Sequence, residues 1–280
     1  MEKANKEGIK INKTELARTL GISRRMIYYQ HKRPAIDEEV KKQIEAVLTD
    51  HPAYGHKRIA LELNLNKKRI LRVMKKYNIK PYRGRITKPR KKDDEGKKRS
   101  EFENILKKQN ITPEYPNHIW AGDFTYIKYH EKFIYLATVI DLFTREIVGW
   151  HISRYHTKEM VCGAFLDATG RTQTVPEYFH SDQGSEYDCE DYINLAKLNN
   201  VKISMSTKSS PWENGYQESF YGKFKEEFGD FSRFETLGEL IEAIHQAIHY
   251  YNNKRIHTSL KMPPTKYRIK FNQEKLRIVV

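Results

Sequence analysis

IWAGDFTYI (residues 119–127) begins the part of the sequence that decides the fold, and KFIYLATVID (132–141) and REIVGWHIS (145–153) follow it. Each run is rich in β-branched and aromatic residues, and only turn-sized polar pieces separate the three. Connections this short predict an antiparallel meander of three strands. We therefore expect a β-sheet at the centre of this part of the chain.

The elements after the meander alternate between helix and strand. The pattern predicts, in order, a helix at about 157–170, a short strand in PEYFHSD (176–182), a helix at 188–199, a strand in VKISMS (201–206), and helices at about 213–228 and 236–252. This order predicts an α/β fold in which a mixed five-stranded sheet is flanked by helices. The ribonuclease-H-like nuclease fold has this order, although secondary structure alone does not single it out.

An all-helical region precedes the sheet. NKTELARTLGISRRMIYYQHKR (12–33) is typical of a helix-turn-helix, with Leu16, Ala17 and Leu20 on one apolar face and Met26, Ile27 and Tyr28 on the second. A helix at 37–49 and a further helix pair in HPAYGHKRIALELNLNKKRILRVMKKYNI (51–79) follow. Basic side chains lie on the polar faces of these helices. The candidate DNA-binding residues here are Arg24, Arg25, Lys57, Arg58, Lys67, Lys68 and Arg69; for each, a solvated helix face is the alternative.

The positive charge is concentrated in the first third of the chain. The 280 residues include 51 Lys and Arg against 36 Asp and Glu, and residues 1–100 hold 29 of the basic and 12 of the acidic ones. Such an excess points to a polyanionic partner, most often nucleic acid, over a merely lysine-rich surface. We divide the chain into a helix-turn-helix (1–34), a second helical DNA-binding module (35–79), a basic linker (80–112), a catalytic core (113–230) and a C-terminal helix and tail (231–280).

Several classes of protein are excluded by composition. No run of about 18 apolar residues exists to span a membrane. The N-terminus lacks the apolar stretch of a secretory signal. Cys162 and Cys189 are the two cysteines, which excludes a disulfide scaffold and a four-cysteine zinc site. We expect a protein of the reducing cytoplasm.

Three carboxylates stand out as candidate metal ligands. Asp123 lies inside the first strand, where an unpaired charge is costly unless it binds something. Asp182 follows the strand PEYFHS, and Glu218 lies on an amphipathic helix that Phe220 and its i+4 repeats should dock on the sheet. Three carboxylates on separate elements can hold two divalent ions roughly 3.5–4 Å apart, and carboxylates without Cys or His favour Mg²⁺ or Mn²⁺ over zinc.

Taken singly, each carboxylate also has an ordinary interpretation. Asp182 stands before a glycine-containing turn and fits a simple turn former. Glu218 fits a solvated helix position. Asp141 is expected to start the loop between two strands, and we leave it outside the site.

Read together, four motifs agree in order and spacing. They are WAGDFTY (120–126), HSDQGSEY (180–187), NGYQESFYGKFK (214–225) and YNNKRIHTSL (251–260), with 35 residues between Asp182 and Glu218. The chain resembles the retroviral-integrase-type Asp-Asp-Glu transposases, specifically the second-frame (OrfB) proteins of bacterial insertion sequences. GISRRMIYY (21–29) and HPAYGHKRIALEL (51–63) also resemble the N-terminal DNA-binding region of that family.

The resemblance implies a role for each of these residues. Asp123, Asp182 and Glu218 would be the catalytic residues and would hold two Mg²⁺ ions, with Mn²⁺ able to substitute. Lys225 would touch a DNA phosphate near the scissile bond. The chain would nick double-stranded DNA at terminal inverted repeats and join the freed 3′-hydroxyl to target DNA. It would act as a homo-oligomer on DNA. Whether it also needs a helix-turn-helix partner from an upstream reading frame is not decided by the resemblance.

Two departures and one signature qualify the resemblance. Glu213-Asn214-Gly215 stands where many relatives have Asp-Asn-Ala before the glutamate, which puts target handling in doubt but removes no metal ligand. The His-His-Cys-Cys zinc module of retroviral integrases is absent from the sequence. Asn252, Arg255 and His257 match a family signature, for which we expect a structural or DNA-facing role.

Two other functions compete with this interpretation. A structure-selective nuclease of the same fold class would keep the acidic residues but would not rejoin strands. A domesticated DNA-binding protein would have lost at least one of the three carboxylates, and all three are present.

Overall fold

Helices alone make up the N-terminal part of the structure, a computed structural model that describes residues 12–27, 33–84, 100–207 and 215–279. They are α1 (Lys13–Thr19), α2 (Arg24–Ile27), α3 (Arg33–Asp50), α4 (His56–Glu62) and α5 (Lys67–Lys76). Gly21 has a φ of +62°, so α1 ends at the glycine that the sequence indicated. The apolar faces predicted for this first pair are only partly buried, because Leu20 and Met26 are 58% and 61% exposed.

The second helical module has a core of its own. Ile44, Ile59 and Ile70, from α3, α4 and α5, are fully buried together with Tyr54. Ile256, from the far end of the chain, packs into the same cluster. The module therefore rests against the C-terminal region through apolar contacts.

Both described ends of the predicted linker 80–112 contact folded parts of the chain, and residues 85–99 lie outside the described residues. At one end, the backbone N–H of Gly84 donates to the carbonyl of Glu226 at 2.8 Å. At the other, Phe102 and Leu106 pack against the cores on the two faces of the sheet, and a short helix α6 (Ile105–Lys108) forms. Residues 100–111 thus extend the folded core beyond the predicted start at 113.

The predicted mixed five-stranded sheet is confirmed. β1 (Ile119–Tyr129), β2 (Lys132–Asp141) and β3 (Ile147–Ser153) are antiparallel, while β4 (Tyr178–Ser181) and β5 (Lys202–Met205) add in parallel to give the order β3-β2-β1-β4-β5. This is the ribonuclease-H-like arrangement, and β1 lies at its centre beside both β2 and β4.

Helices cover both faces of the sheet. They are α7 (Lys158–Thr172), α8 (Glu190–Leu198), α9 (Gly215–Phe228) and α10 (Leu237–Asn253). Successive side chains of a strand point to opposite faces, and Trp120 accordingly packs with α7 and α8 while Ile119 packs with α9 and α10. Phe220, Phe224 and Phe228 dock α9 on the sheet as predicted.

A last helix, α11 (Pro264–Val279), forms in the region predicted as a tail. It is held at the β2–β3 turn, where Arg268 makes an ion pair of 2.7 Å with Glu146 and Phe271 makes a ring contact with Phe143. These contacts fix the helix to the catalytic core.

Candidate active site

Asp123 stands in the middle of the central strand, paired with Thr138 of β2. Its Oδ1 accepts a hydrogen bond of 2.8 Å from the backbone N–H of Phe124. Burial raises the pKa of the Asp123 carboxyl well above its usual range, and the charges of Asp182 and Glu218 raise it further, while Lys225 opposes them. The surroundings of Asp123 therefore oppose the charged form of its carboxyl.

Asp182 is placed by the parallel pairing of β1 with β4. Ala121 pairs with His180, and continuing this register by two residues puts Asp182 level with Asp123. Its Oδ1 accepts a bond of 3.0 Å from the N–H of Gly184. A Cβ at Gly184 would stand 2.9 Å from that same oxygen, so a tight turn wraps the carboxylate. The residue is a turn former, as the ordinary interpretation had it, at a position beside the central strand.

Glycine is also required next to Asp123. A Cβ at Gly122 would stand 2.5 Å from the ring of Phe179 and 2.9 Å from the hydroxyl of Tyr187. Real Cβ atoms do not approach so closely, so the ring of Phe179 and the hydroxyl of Tyr187 can lie where they do only with glycine at 122. Tyr187 is itself buried, and burial, with the charges of Asp123 and Asp182, raises its pKa.

Helix α9 is clamped to the sheet by two buried polar side chains next to Glu218. The Nε2 of Gln217 donates to the carbonyls of Ala121 (2.6 Å) and Thr138 (3.0 Å). The hydroxyl of Tyr221 donates to the carbonyl of Asp123 at 2.7 Å. Sequence reasoning missed Gln217 altogether; its i, i+4 spacing to Tyr221, on the side of the helix that faces the strands, was the available signal.

Glu218 itself is exposed in the first turn of α9. It makes no hydrogen bond or ion pair with another residue among those described. Because Gln217 and Tyr221 fix the helix while the Glu218 side chain is unrestrained, its carboxylate can turn toward Asp123. The structure thus supplies two carboxylates on adjacent strands and a third on a fixed helix.

Lys225 lies two turns further along α9. Its Nζ donates to the carbonyl of Tyr126 at 2.9 Å and lies 5.0 Å from the centre of that ring. Burial lowers the pKa of this amine, and the charge of Asp123 partly offsets the effect. The lysine therefore places a positive charge beside β1, on the carboxylate side of the helix.

The donor set fits a hard divalent cation. Oxygen ligands from carboxylates are what Mg²⁺ and Mn²⁺ prefer, and a bound cation would relieve the repulsion that raises the pKa of Asp123. Within the part of the chain that the structure describes, no three His, Cys, Asp or Glu side chains already form a ready metal cluster. A turn of the Glu218 side chain toward Asp123 would bring the third carboxylate to the other two.

Asp141 has the structural role that the sequence predicted for it. It is 1% exposed and organises the β2–β3 turn by accepting bonds from the N–H of Phe143 (2.9 Å) and the hydroxyl of Thr144 (2.8 Å). Its pKa is raised by burial.

The predicted DNA-binding residues fall into two groups. Six lie exposed on helices of the N-terminal part: Arg24, Arg25, Lys57, Lys67, Lys68 and Arg69. Arg58 does not, because its guanidinium turns inward, donating to the carbonyl of Ile256 (3.0 Å) and to Glu227 (3.4 Å). It joins the helical module to the catalytic core.

Among the described residues, none of the helices has the length and apolar character needed to cross a membrane.

Comparison with known proteins places this geometry in a family. Family models described as "Integrase core domain" match residues 113–211 and 199–264. The chain is 31% identical over 266 residues to the putative transposase InsK for insertion sequence element IS150 of Escherichia coli K12, covering 91% of this chain and 92% of that protein. It is 32% identical over 273 residues to the insertion element IS600 uncharacterized 31 kDa protein of Shigella sonnei, covering 92% and 99%.

Two further matches are partial. The transposase for insertion sequence element IS904 of Lactococcus lactis is 39% identical over 159 residues, which is 56% of this chain and 63% of that protein. A solved structure, that of the HTLV-2 integrase catalytic core domain in complex with magnesium, matches with a TM-score of 0.44 at 20% identity, over 55% of this chain and 97% of that one.

The sheet order, the matches to the integrase-core models and the two relatives covered over more than nine-tenths of their length agree. They define a protein with an integrase core. The chain belongs to the family of bacterial insertion-sequence transposases that carry this core. The two competing functions, a structure-selective nuclease and a domesticated DNA-binding protein, are not favoured by these relatives.

Proposed function

We propose that the chain cuts DNA at the ends of its insertion sequence and joins the freed 3′-hydroxyl to target DNA, with Asp123, Asp182 and Glu218 as the catalytic residues. The observation that carries this proposal is the geometry of β1, β4 and α9: the parallel register of β4 puts Asp182 level with Asp123, and Gln217 and Tyr221 fix the helix of Glu218 against β1. A charge cluster of this kind, on a sheet that buries most of its other groups, is costly unless it serves a site.

The same three residues would hold divalent cations, two Mg²⁺ ions with Mn²⁺ able to replace them. Bound there, the ions would supply Lewis-acid activation of the attacking oxygen and neutralisation of the leaving oxygen. The protein's own contribution is to hold the ligands in place. Gln217 and Tyr221 fix the helix of Glu218, and the turn around Gly184 fixes Asp182.

The reaction itself comprises two displacements at phosphorus. In the first, water attacks the phosphodiester at the element's end, and the bond to the 3′-oxygen breaks to leave a 3′-hydroxyl. In the second, that hydroxyl attacks a phosphodiester of the target strand and a target 3′-oxygen leaves. Lys225, on the carboxylate side of α9, would place positive charge next to the phosphate near the scissile bond.

The exposed cations of the N-terminal helices would bind the terminal inverted repeats. We include Arg24, Arg25, Lys57, Lys67, Lys68 and Arg69, most of them toward phosphates, and leave out Arg58 because its charge is used internally. Two DNA ends must be joined, so a homo-oligomer on DNA is part of the proposal, with the cytoplasmic nucleoid as its place of action and an upstream-frame partner as a possible subunit.

The test uses labelled DNA carrying the element's terminal repeat together with Mg²⁺ or Mn²⁺. Wild type should nick the end and transfer it, whereas Asp182→Asn should bind the DNA and do neither. Asp188→Asn is the matched control, since it makes the same change on an exposed aspartate of the same loop, whose carboxylate bonds only Ser100 among the described residues (2.9 Å). Full cleavage by Asp182→Asn would show that the carboxylate assignment is wrong.

The products separate the proposal from its alternatives. Strand-transfer products are expected of a transposase, and cleavage without joining would point to a nuclease. Binding without cleavage by wild type in both metals would point to a DNA-binding protein without catalysis.

A further inference from the structure

A strongly basic cavity lies on the flank of helix α9 away from Glu218. Its volume is about 540 Å³, within the range of small-ligand sites. The polar and charged residues that line it are Arg58, Arg145, Ser219, Lys223, Arg255, His257, Thr258 and Ser259, and Tyr216 forms part of its wall. We call it the flank cavity. Its lining includes no carboxylate among the described residues.

The positive charge in the flank cavity is only partly neutralised. Glu227, behind the wall, accepts from Arg255 at 2.6 and 2.7 Å and from Arg58 at 3.4 Å, so one carboxylate serves two guanidinium groups. Lys223 is paired with Glu226 at 2.8 Å. Arg145 makes no ion pair with any described carboxylate, and its guanidinium stacks 3.6 Å from the ring centre of Tyr216.

Two buried polar atoms at this cavity lack a partner. The Nη1 of Arg145 and the Nδ1 of His257 are both buried and make no hydrogen bond within the described part of the chain. A buried polar nitrogen left unpaired is costly. Buried unpaired nitrogens beside an excess of guanidinium groups and three hydroxyls are what an anion with several acceptor oxygens would satisfy.

We infer that the flank cavity binds a phosphate group of the DNA strand held by the enzyme, with Arg145 and His257 as its main contacts. The inference rests on the proposed function, because it takes DNA as the bound substrate. Phosphate is favoured over a carboxylate because its oxygens match the forked guanidinium donors from several directions. The neutral imidazole and the hydroxyls then supply directional hydrogen bonds beside the charges.

The position of the cavity gives the bound phosphate a place along the strand. On a helix of 3.6 residues per turn, Tyr216, Ser219 and Lys223 share one face, while Glu218 and Lys225 share another. The two faces are separated by roughly the 10 Å diameter of the helix. Because a DNA strand rises about 3.4 Å per nucleotide and must pass around the helix, the phosphate in the flank cavity would lie a few nucleotides from the scissile one.

The first test is a scan of single neutral methylphosphonate linkages through a labelled duplex that carries the terminal repeat. For the wild-type full chain, neutralising one phosphate a few nucleotides from the cleavage site should weaken binding about tenfold or more. Arg145→Gln should bind unmodified DNA correspondingly less tightly, and the same methylphosphonate should then have no further effect. The slope of log affinity against log salt should fall by about 0.9 in this variant, the loss of one phosphate contact.

Arg171→Gln is the matched control. Arg171 also stacks on an aromatic ring, 3.8 Å from that of Trp150, but it is paired with Asp167 and lies outside the cavity. It should keep the wild-type methylphosphonate profile. If Arg145→Gln keeps that profile as well, or if no single linkage stands out in wild type, the inference is overturned.

A second variant guards against misfolding of the first. Ser259→Glu puts a negative charge on an exposed residue at the cavity mouth, and it should weaken binding at the same linkage as Arg145→Gln. If both variants melt at the wild-type temperature and neither alters the scan, the inference fails.

Nuclear magnetic resonance of His257 separates the possible sources of the phosphate. Burial, with the nearby charges of Arg145, Arg255 and Arg58, lowers the pKa of this imidazole to about 4 in the free protein. A short oligonucleotide should raise it. A rise with inorganic phosphate but not with the oligonucleotide would mean a free-anion site and would overturn the DNA assignment.

The proposed function fails separately from this inference. Asp182→Asn tests the carboxylates through nicking, and it should keep the full methylphosphonate profile. If Arg145→Gln alters the profile and Asp182→Asn still cleaves fully, the phosphate site stands and the catalytic assignment is wrong. If Arg145→Gln keeps the wild-type profile and Asp182→Asn loses cleavage, the catalytic assignment stands and the phosphate site is wrong.

Discussion

Replacing Gln217 by alanine should loosen the active-site helix at one identifiable point. The amide of Gln217 is fully buried, donates to the carbonyls of Ala121 and Thr138, and accepts from the hydroxyl of Thr138 at 3.0 Å. Each such bond contributes about 1 kcal/mol net, and a buried partner left unpaired costs about 1–3 kcal/mol. Because the hydroxyl of Thr138 keeps Tyr221 as a partner at 2.8 Å, two carbonyls lose a donor, and we expect a loss of about 3 kcal/mol.

The assay is urea unfolding followed by tryptophan fluorescence, since Trp120 is fully buried in the sheet beside this clamp. Glu218→Gln is the control, because it alters the next residue of the same helix at an exposed position, and it should change the free energy of unfolding by no more than about 0.5 kcal/mol. Both variants should lose DNA cleavage, but only Gln217→Ala should lose stability.

The reasoning is refuted if Gln217→Ala costs less than about 1 kcal/mol. Such a result would mean that the helix is held by its phenylalanines alone and that the buried amide contributes no net stability. A loss equal to that of Glu218→Gln would have the same meaning. Cleavage at the wild-type rate by Gln217→Ala would show instead that the position of Glu218 does not depend on the clamp.

Two other perturbations test the packing around the site and the N-terminal module. Gly122→Ala should destabilise the protein by about 1–3 kcal/mol, because the added methyl group would stand 2.5 Å from the ring of Phe179. Gly222→Ala is the control in the same urea assay. Its methyl group would meet no neighbouring side chain within 4 Å, so it should stabilise α9 slightly. Hydrogen bonding to Arg72 holds the pKa of Asp37 well below its usual range. The ion pair therefore stabilises the folded state fully above about pH 4, the pKa of an unfolded aspartate. That stability is lost as the pH falls through the lower pKa of Asp37 in the folded state. Acid titration followed by circular dichroism should show the loss in wild type and not in Asp37→Asn.

The sequence predicted the sheet because its signals are local. The three runs of the meander carry β-branched and aromatic residues between short connections, and the structure has strands at those positions. The candidate carboxylates also came from local signals, since Asp123 interrupts an apolar strand and Asp182 follows one. The parallel pairing of β1 with β4 puts Asp123 and Asp182 side by side. This pairing joins residues far apart in the chain, so the spacing of the sequence does not predict it.

Long-range contacts explain what the sequence could not supply. Arg58 has the pattern of a solvated helix residue, like Lys57 beside it, and only the distant Glu227 and Ile256 turn it inward. Gln217 looks like any polar helix residue until the carbonyls of two strands are brought beneath it. In both cases the deciding partner lies more than 75 positions away in the chain, beyond the reach of periodicity.

Helix α9 connects these observations. One side carries Glu218 and Lys225 toward β1, the buried side anchors Gln217 and Tyr221, and the third faces the flank cavity. A bound DNA strand that reached both exposed sides would contact a helix that Gln217 and Tyr221 already fix to the sheet. The phosphates of that strand would then be positioned by the same helix that carries Glu218. Loss of the clamp should then weaken the methylphosphonate signature at the flank cavity as well as cleavage, whereas loss of Arg145 should change that signature and leave the clamp's stability intact.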